Sequence, residues 1–205
     1  MDRKGKHGLV KNLGGLRGYQ EQFQRVFESE LTPAGVAKAI AAYERTILSG
    51  NAPYDRFRAG DAAALSAAAR RGLALFEGKA RCMSCHVGFN FTDEGYHNLG
   101  VGMDREKPDL GRYAVTKVEG NKGAFKTPTL RDVARRPPYM HDGSLKTLDE
   151  VVAFYNRGGI ANPWRSGDVK PLDLTVQEQA DLVAFLESLT GQMAADVTSP
   201  PRLPE

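Results

Sequence analysis

The sequence predicts an all-α domain with unusually long loops, and three observations predict it. Four candidate helices carry recognisable start or stop residues, only one short stretch reads as strand, and residues 87–146 are rich in Gly, Pro, Asn and Asp. A loop segment of that length inside a compact domain is usually functional, and wrapping a cofactor is one such function.

The elements follow in order. Residues 1–31 begin Gly- and charge-rich, then place Tyr19, Phe23, Val26 and Phe27 at roughly helical spacing. Thr32 caps the next helix and Pro33 takes its first position. Val36, Ile40, Tyr43 and Ile47 give it one apolar stripe, and Gly50 is its expected end. A second helix runs from about Ser66 to Glu77 and stops at Gly78. Tyr113–Thr116 is the strand candidate. Thr147 with Glu150, and Thr175 with Glu178, are capping boxes that open the last two helices, the first running to about Asn156. The tail around Thr198–Pro201 is expected to lack order.

Composition narrows the function. A formal charge of +3 is too small to mark a nucleic-acid binder, and basic and aromatic residues are nowhere interleaved. No apolar run is long enough to cross a bilayer. The basic stretch Met1–Gly8 is followed by no apolar signal-peptide core, which points to a natural start further upstream. Two cysteines cannot staple a fold, so their spacing is local chemistry.

Cys82-Met83-Ser84-Cys85-His86 matches C-x-x-C-H, the attachment signature of c-type haem. Each thiol adds to one porphyrin vinyl group, and the tight turn brings His86 under the iron as an axial nitrogen donor. A structural zinc site needs four ligands, and no second cysteine pair supplies them. A thioredoxin-like pair needs a βαβ setting that is absent here.

The second axial ligand decides the chemistry, because methionine raises the reduction potential whereas tyrosine is an oxygen donor. Met103, Met140, Tyr155, His97 and His141 are the downstream candidates, and by residue type Met140 comes first. His97 and His141 are candidates for the haem environment, or else loop histidines that bond backbone turns. Lys126, Arg131, Arg135 and Arg136 form a basic cluster suited to haem propionates, since guanidinium matches carboxylate in bidentate fashion, or to a solvated surface. Trp164, the single tryptophan, is expected to pack rather than relay electrons.

Several blocks resemble the C-terminal half of the bacterial dihaem cytochrome c peroxidase family, which includes the MauG-type enzymes. They are Ala39–Thr46, Arg71–Phe76, Asn90–Asp93, Phe125–Arg131 and Pro138–Ser144, in that order around the haem motif. The resemblance implies a cytochrome c-like haem domain over residues 63–192, a helical extension over 1–62 and a disordered tail over 193–205. It implies one covalent haem c, with a peroxidatic haem domain outside this chain. The chain then resembles the electron-transfer half of an enzyme that reduces hydrogen peroxide, or of a MauG-like oxidase. The rival is a stand-alone monohaem electron carrier without substrate chemistry.

The resemblance also shifts the distal ligand to Tyr155, the position that holds methionine in the peroxidases and tyrosine in the MauG branch, with Met140 the rival. It implies a small cytochrome or cupredoxin as electron donor, and a periplasmic location. A calcium ion bound partly by backbone carbonyls matching Arg136 and Pro138 is expected only with the missing domain, because two carbonyls fall short of the six to eight oxygens calcium takes.

Overall fold

Hydroxyl side chains fix where the main helices begin. Thr32 Oγ1 accepts from the Gly35 amide (3.0 Å), Ser66 Oγ from Ala69 (3.1 Å), Thr147 Oγ1 from Glu150 (3.1 Å) and Thr175 Oγ1 from Glu178 (3.2 Å). Each satisfies one of the amides a helix start leaves unpaired. Thr175 and Glu178 form the reciprocal box expected of them. Glu150 differs: its carboxylate accepts from the Lys146 amide, one residue earlier than a box requires.

The computed structural model describes residues 3–193, 197, 199 and 202–204. It divides into two compact units, residues 1–48 with 193–205, and residues 49–192. The two compact units meet at 48/49. The expected disorder of 198–201 falls mostly outside the described residues.

The first unit holds α1 (Arg3–Gly14), α2 (Arg17–Phe27) and α3 (Pro33–Glu44). Buried Phe23 stacks at 5.1 Å on Phe27, and Val36 is buried as predicted. The rest of the α3 stripe is not: Ile40, Tyr43 and Ile47 are all exposed. The helix also stops at Glu44, before Gly50. Thr46 Oγ1 donates to the Tyr43 carbonyl (2.7 Å) and the Arg45 guanidinium to the Ala41 carbonyl (3.1 Å). The Thr46 hydroxyl thus takes a carbonyl that further helix would have used.

The second unit contains α4 (Pro53–Arg58), α5 (Ala67–Glu77), α6 (Tyr113–Thr116), α7 (Leu148–Asn156) and α8 (Val176–Glu187). Its core is a cluster around Phe76, Phe91, Leu182, Phe185 and Leu189. Phe76 and Phe185 meet at 4.9 Å, and Tyr54 packs edge-on against Phe91 and Phe185. The predicted strand Tyr113–Thr116 is instead the single turn α6. Among the described residues Tyr113–Thr116 pairs with no strand, and the Arg112 carbonyl accepts from both Val115 and Thr116 (3.1 Å each). Tertiary setting overrides propensity here. The paired strand segments of this unit include Tyr96–His97 with Phe125–Lys126, joined antiparallel. Among the described residues, no helix is long and apolar enough to cross a membrane.

Helices α5 and α8 cross at Gly72, where the Asp181 backbone comes so close that any Cβ would overlap its carbonyl. The crossing is clamped by charge. Arg71 donates twice to Asp181 (2.7 Å each), and Lys79 reaches both oxygens of Glu178 (2.9 and 2.8 Å). These hydrogen bonds, Arg71 foremost, hold the Asp181 carboxyl below the usual carboxylate range, and Lys79 does the same for Glu178.

Two expectations follow. Gly72→Ala forces the helices apart and lowers the unfolding free energy by about 3 kcal/mol in urea titration, the upper end for overpacking. Because both carboxyls titrate lower in the folded than in the unfolded chain, their contribution is complete above about pH 4 and fades as pH falls through the folded values. Asp181→Asn is therefore less stable than wild type at pH 7, with the gap closing at low pH. Parallel urea titrations at the two pH values check it.

Candidate functional site

The Cys82–His86 turn is built by one carbonyl. After Gly78 ends α5, Arg81 takes a left-handed conformation (φ 52°) and Cys82–Ser84 forms a single 3-10 turn. The Cys82 carbonyl then accepts from the amides of Cys85 (3.3 Å) and His86 (2.9 Å). Both cysteines are free thiols and both line the cavity described below. Burial pushes the Cys82 thiol up to about 12 and raises Cys85 as well.

His86 is oriented from behind. Its Nδ1 lies 2.8 Å from the Phe91 carbonyl, which can only accept, so Nδ1 carries the proton and Nε2 keeps a free lone pair. Burial lowers the His86 pKa despite that hydrogen bond, which favours the neutral ring. Phe91 itself has a positive φ of 52°. Its ring sits among Tyr54, Phe76 and Phe185 in the core.

A cavity of about 420 Å³ opens beside these residues. Cys82, Cys85 and His86 form one wall, while Val151, Val152 and Tyr155 of α7 and Leu182 and Leu186 of α8 contribute others. Its volume lies in the range of small-molecule and cofactor sites. Tyr155 reaches it from the helix that Thr147 opens. Its hydroxyl makes no hydrogen bond among the described residues, and burial, with Cys82 and Cys85 nearby, raises its pKa well above the ordinary tyrosine value. Tyr155 thus presents a phenol oxygen without a protein partner among the described residues on the cavity wall.

The other expected residues divide. Met140, His97 and His141 line the same cavity. Met140 has a φ of 70°, and His141 stacks on Phe125 at 3.5 Å. Asp142 is clasped by Arg105 across the loops. Met103 does not line the cavity; it packs over Gly123. Arg131 does not line it either. It is buried, donates to both oxygens of Asp55 (2.7 and 2.8 Å) and to the Phe89 carbonyl (3.0 Å), and stacks over the Phe89 ring at 4.6 Å. Its guanidinium is therefore spent on the fold rather than offered to a propionate. Arg135 is paired with Asp132 and the Gly191 carbonyl. The cations on the cavity wall are Arg81, Lys126, Arg136 and Lys170. Trp164 is half-buried with the Lys122 ammonium 4.5 Å from its ring.

Sequence reasoning passed over two contributors. Phe91 acts through its backbone, which no side-chain motif betrays. Asp93 lies 2.7 Å from His97 Nε2, and the four-residue spacing was the available signal. Burial alone would raise the Asp93 pKa, but bonds from His97, Thr127 and the Gly95 amide outweigh it and hold the carboxyl at about 2. The Cys85, Asp93 and His97 donor atoms lie within 4.8 Å of one another.

The residues present fit a covalently tethered haem. Both cysteines line the cavity, together with His86, whose Nε2 lone pair is free, and Tyr155. Two family models match the chain: di-haem cytochrome c peroxidase over residues 1–63 and cytochrome c over residues 69–190. Methylamine utilization protein MauG of Methylorubrum extorquens is 43% identical over 192 residues, covering 91% of this chain and 53% of that protein. Cytochrome-c peroxidase IdrP1 of Denitromonas iodatirespirans is 42% identical over 203 residues, covering 84% of this chain and 54% of that protein. The chain thus spans about half the length of the curated relatives it matches. A crystal structure of a MauG-like protein associated with microbial copper homeostasis superposes with a TM-score of 0.83 at 30% identity, over 98% of this chain and 67% of that one.

Arg131→Met is expected to lower the unfolding free energy by about 3 kcal/mol, because it strands Asp55 and the Phe89 carbonyl. A double-mutant cycle with Asp55→Ala in urea titrations checks it; additive losses would show the pair to be uncoupled.

Proposed function

The chain belongs to the dihaem cytochrome c peroxidase and MauG family, and on that premise we propose that it is the C-terminal, electron-transfer haem unit of such a protein. The supporting observation is that one cavity gathers Cys82, Cys85, His86 and Tyr155. Cys82 and Cys85 would hold one haem c through thioethers, His86 would bind iron through Nε2, and Tyr155 would supply the distal oxygen. Bound there, the haem supplies reversible one-electron chemistry.

The protein's own groups set the terms of that chemistry. The Phe91 carbonyl keeps the imidazole in one tautomer and one orientation, which raises its strength as a ligand. Val151 and Val152 of α7 and Leu182 and Leu186 of α8 would give the haem apolar walls, and a tyrosine oxygen in place of a methionine sulfur would disfavour the high potential that methionine gives. Were His86 and Tyr155 both to hold the haem iron, small molecules would be kept from it. Peroxide reduction, or MauG-like oxidation of a protein, is then assigned to a second haem domain outside this chain. A small cytochrome or cupredoxin is the proposed electron donor, the periplasm the proposed location, and calcium a ligand only of the two-domain protein.

Met140 is the second reading for the distal ligand, because it lines the same cavity. Absorption and electron paramagnetic resonance spectra of the haem-loaded protein separate the two. Tyr155→Phe is expected to abolish the six-coordinate signature and Met140→Leu to leave it intact; the reverse pattern overturns the tyrosine assignment. Rapid peroxide turnover by the purified chain would overturn the electron-transfer role.

A further inference from the structure

The cations on the cavity wall differ in what they already hold. Arg81 immediately precedes Cys82, beside the tethering cysteines. Lys126 has a carboxylate of its own, Glu94 Oε2 at 2.6 Å. Lys170 shares the wall with Asp168, two positions before it, and no hydrogen bond among the described residues fixes its ammonium. Arg136 is different. Its Nη2 donates to the carbonyls of Thr129 (3.0 Å) and Arg131 (2.8 Å), and its Nε reaches the Asp132 carbonyl at 3.5 Å.

That clamp is itself anchored. Thr129 Oγ1 donates to the Asn90 carbonyl (2.6 Å) and accepts from the Arg131 amide (3.1 Å), while the Arg131 side chain is held inside by Asp55. Thr129 lines the cavity, as do Pro138, Tyr139 and Met140 on the other side of Arg136 in the chain. Arg136 is exposed, which sets it at the mouth of the cavity rather than its floor. Its hydrogen-bond partners among the described residues are all backbone carbonyls. Carbonyls orient a guanidinium but leave its charge unmatched, and the Nη1 hydrogens stay available for an anion.

We infer that Arg136 binds a propionate of the haem and so fixes how the porphyrin is seated in the cavity. The inference rests on the haem-binding reading above. Haem carries its two propionates on the edge opposite its vinyl groups. A porphyrin tethered at Cys82 and Cys85 would turn those carboxylates away from the cysteines, which favours Arg136 over Arg81. A guanidinium meets a carboxylate with two parallel hydrogen bonds, a geometry that the Lys126 and Lys170 ammonium groups lack. Arg131 and Arg135, committed to Asp55 and Asp132, take no part. Arg136 acts here as a positioning residue, and its charge beside the haem favours the reduced iron.

The test uses the full chain matured with covalent haem, read by the propionate bending bands of resonance Raman spectra and by spectroelectrochemical titration. Arg136→Gln is expected to shift the propionate band and to raise the oxidised-to-reduced ratio about fivefold at a fixed solution potential, the size of one charge lost near the haem. Arg136→Lys keeps the charge and loses the fork, so the ratio should return to within about twofold of wild type while the band stays shifted. Arg81→Gln and Lys170→Gln should leave the band at its wild-type position. If Arg136→Gln yields no mature protein, the band of Arg136→Lys decides alone. An unmoved band in either Arg136 variant overturns the inference, and so does a band that moves with Arg81 or Lys170 instead. A wild-type chain without covalent haem would overturn the haem-binding reading itself, and this assignment with it.

Discussion

The bond between His86 Nδ1 and the Phe91 carbonyl is the constraint on which the site depends. It fixes the tautomer, frees Nε2, and ties the ring to a residue whose own side chain is wedged among Tyr54, Phe76 and Phe185. The orientation of one imidazole is thereby set by the packing of the core. Phe91 can serve both purposes because its positive φ turns the carbonyl toward His86 while the ring stays in the aromatic cluster. Arg131 reinforces the arrangement, since it stacks near the Phe91 ring (5.4 Å) while bonding Asp55 and the Phe89 carbonyl.

The opposing wall depends on a different contact. The α5–α8 crossing at Gly72 lets two backbones meet, so α8 brings Leu182 and Leu186 to the cavity that α5 delivers the Cys82–His86 turn to. Covalent chain order and helix packing thus converge on one volume from two directions. The long loops then supply the rest of the lining, including Phe125, Met140 and His141, without needing regular structure of their own.

Much of this was legible in the sequence where the governing interactions are local. The Thr32 and Thr175 caps are short-range, and C-x-x-C-H encodes its own turn through the Cys82 carbonyl. What depended on distant residues was not. The Ile40, Tyr43 and Ile47 stripe has the right period for burial, but period does not reveal whether another element covers it. Tyr113–Thr116 has strand propensity without a strand to pair with. Arg131 belongs to a run of basic residues that reads as a surface cluster, yet its partner Asp55 is 76 positions earlier and takes it inside. The Asp93–His97 pair was within reach at four residues apart, but its proximity to Cys85 was not.

Asn156, the last residue of α7, joins the two strands of chain that flank the stretch between α7 and α8. Its amide donates to the Leu174 carbonyl (3.1 Å) and its oxygen accepts from the Leu174 amide (2.8 Å), a closed pair of bonds across 18 positions. The intervening segment is pinched shut at its neck, immediately beyond Tyr155. Because Lys170 and Leu172 of that excursion line the cavity together with Tyr155, a change of length there would reach the pocket wall instead of staying at the surface.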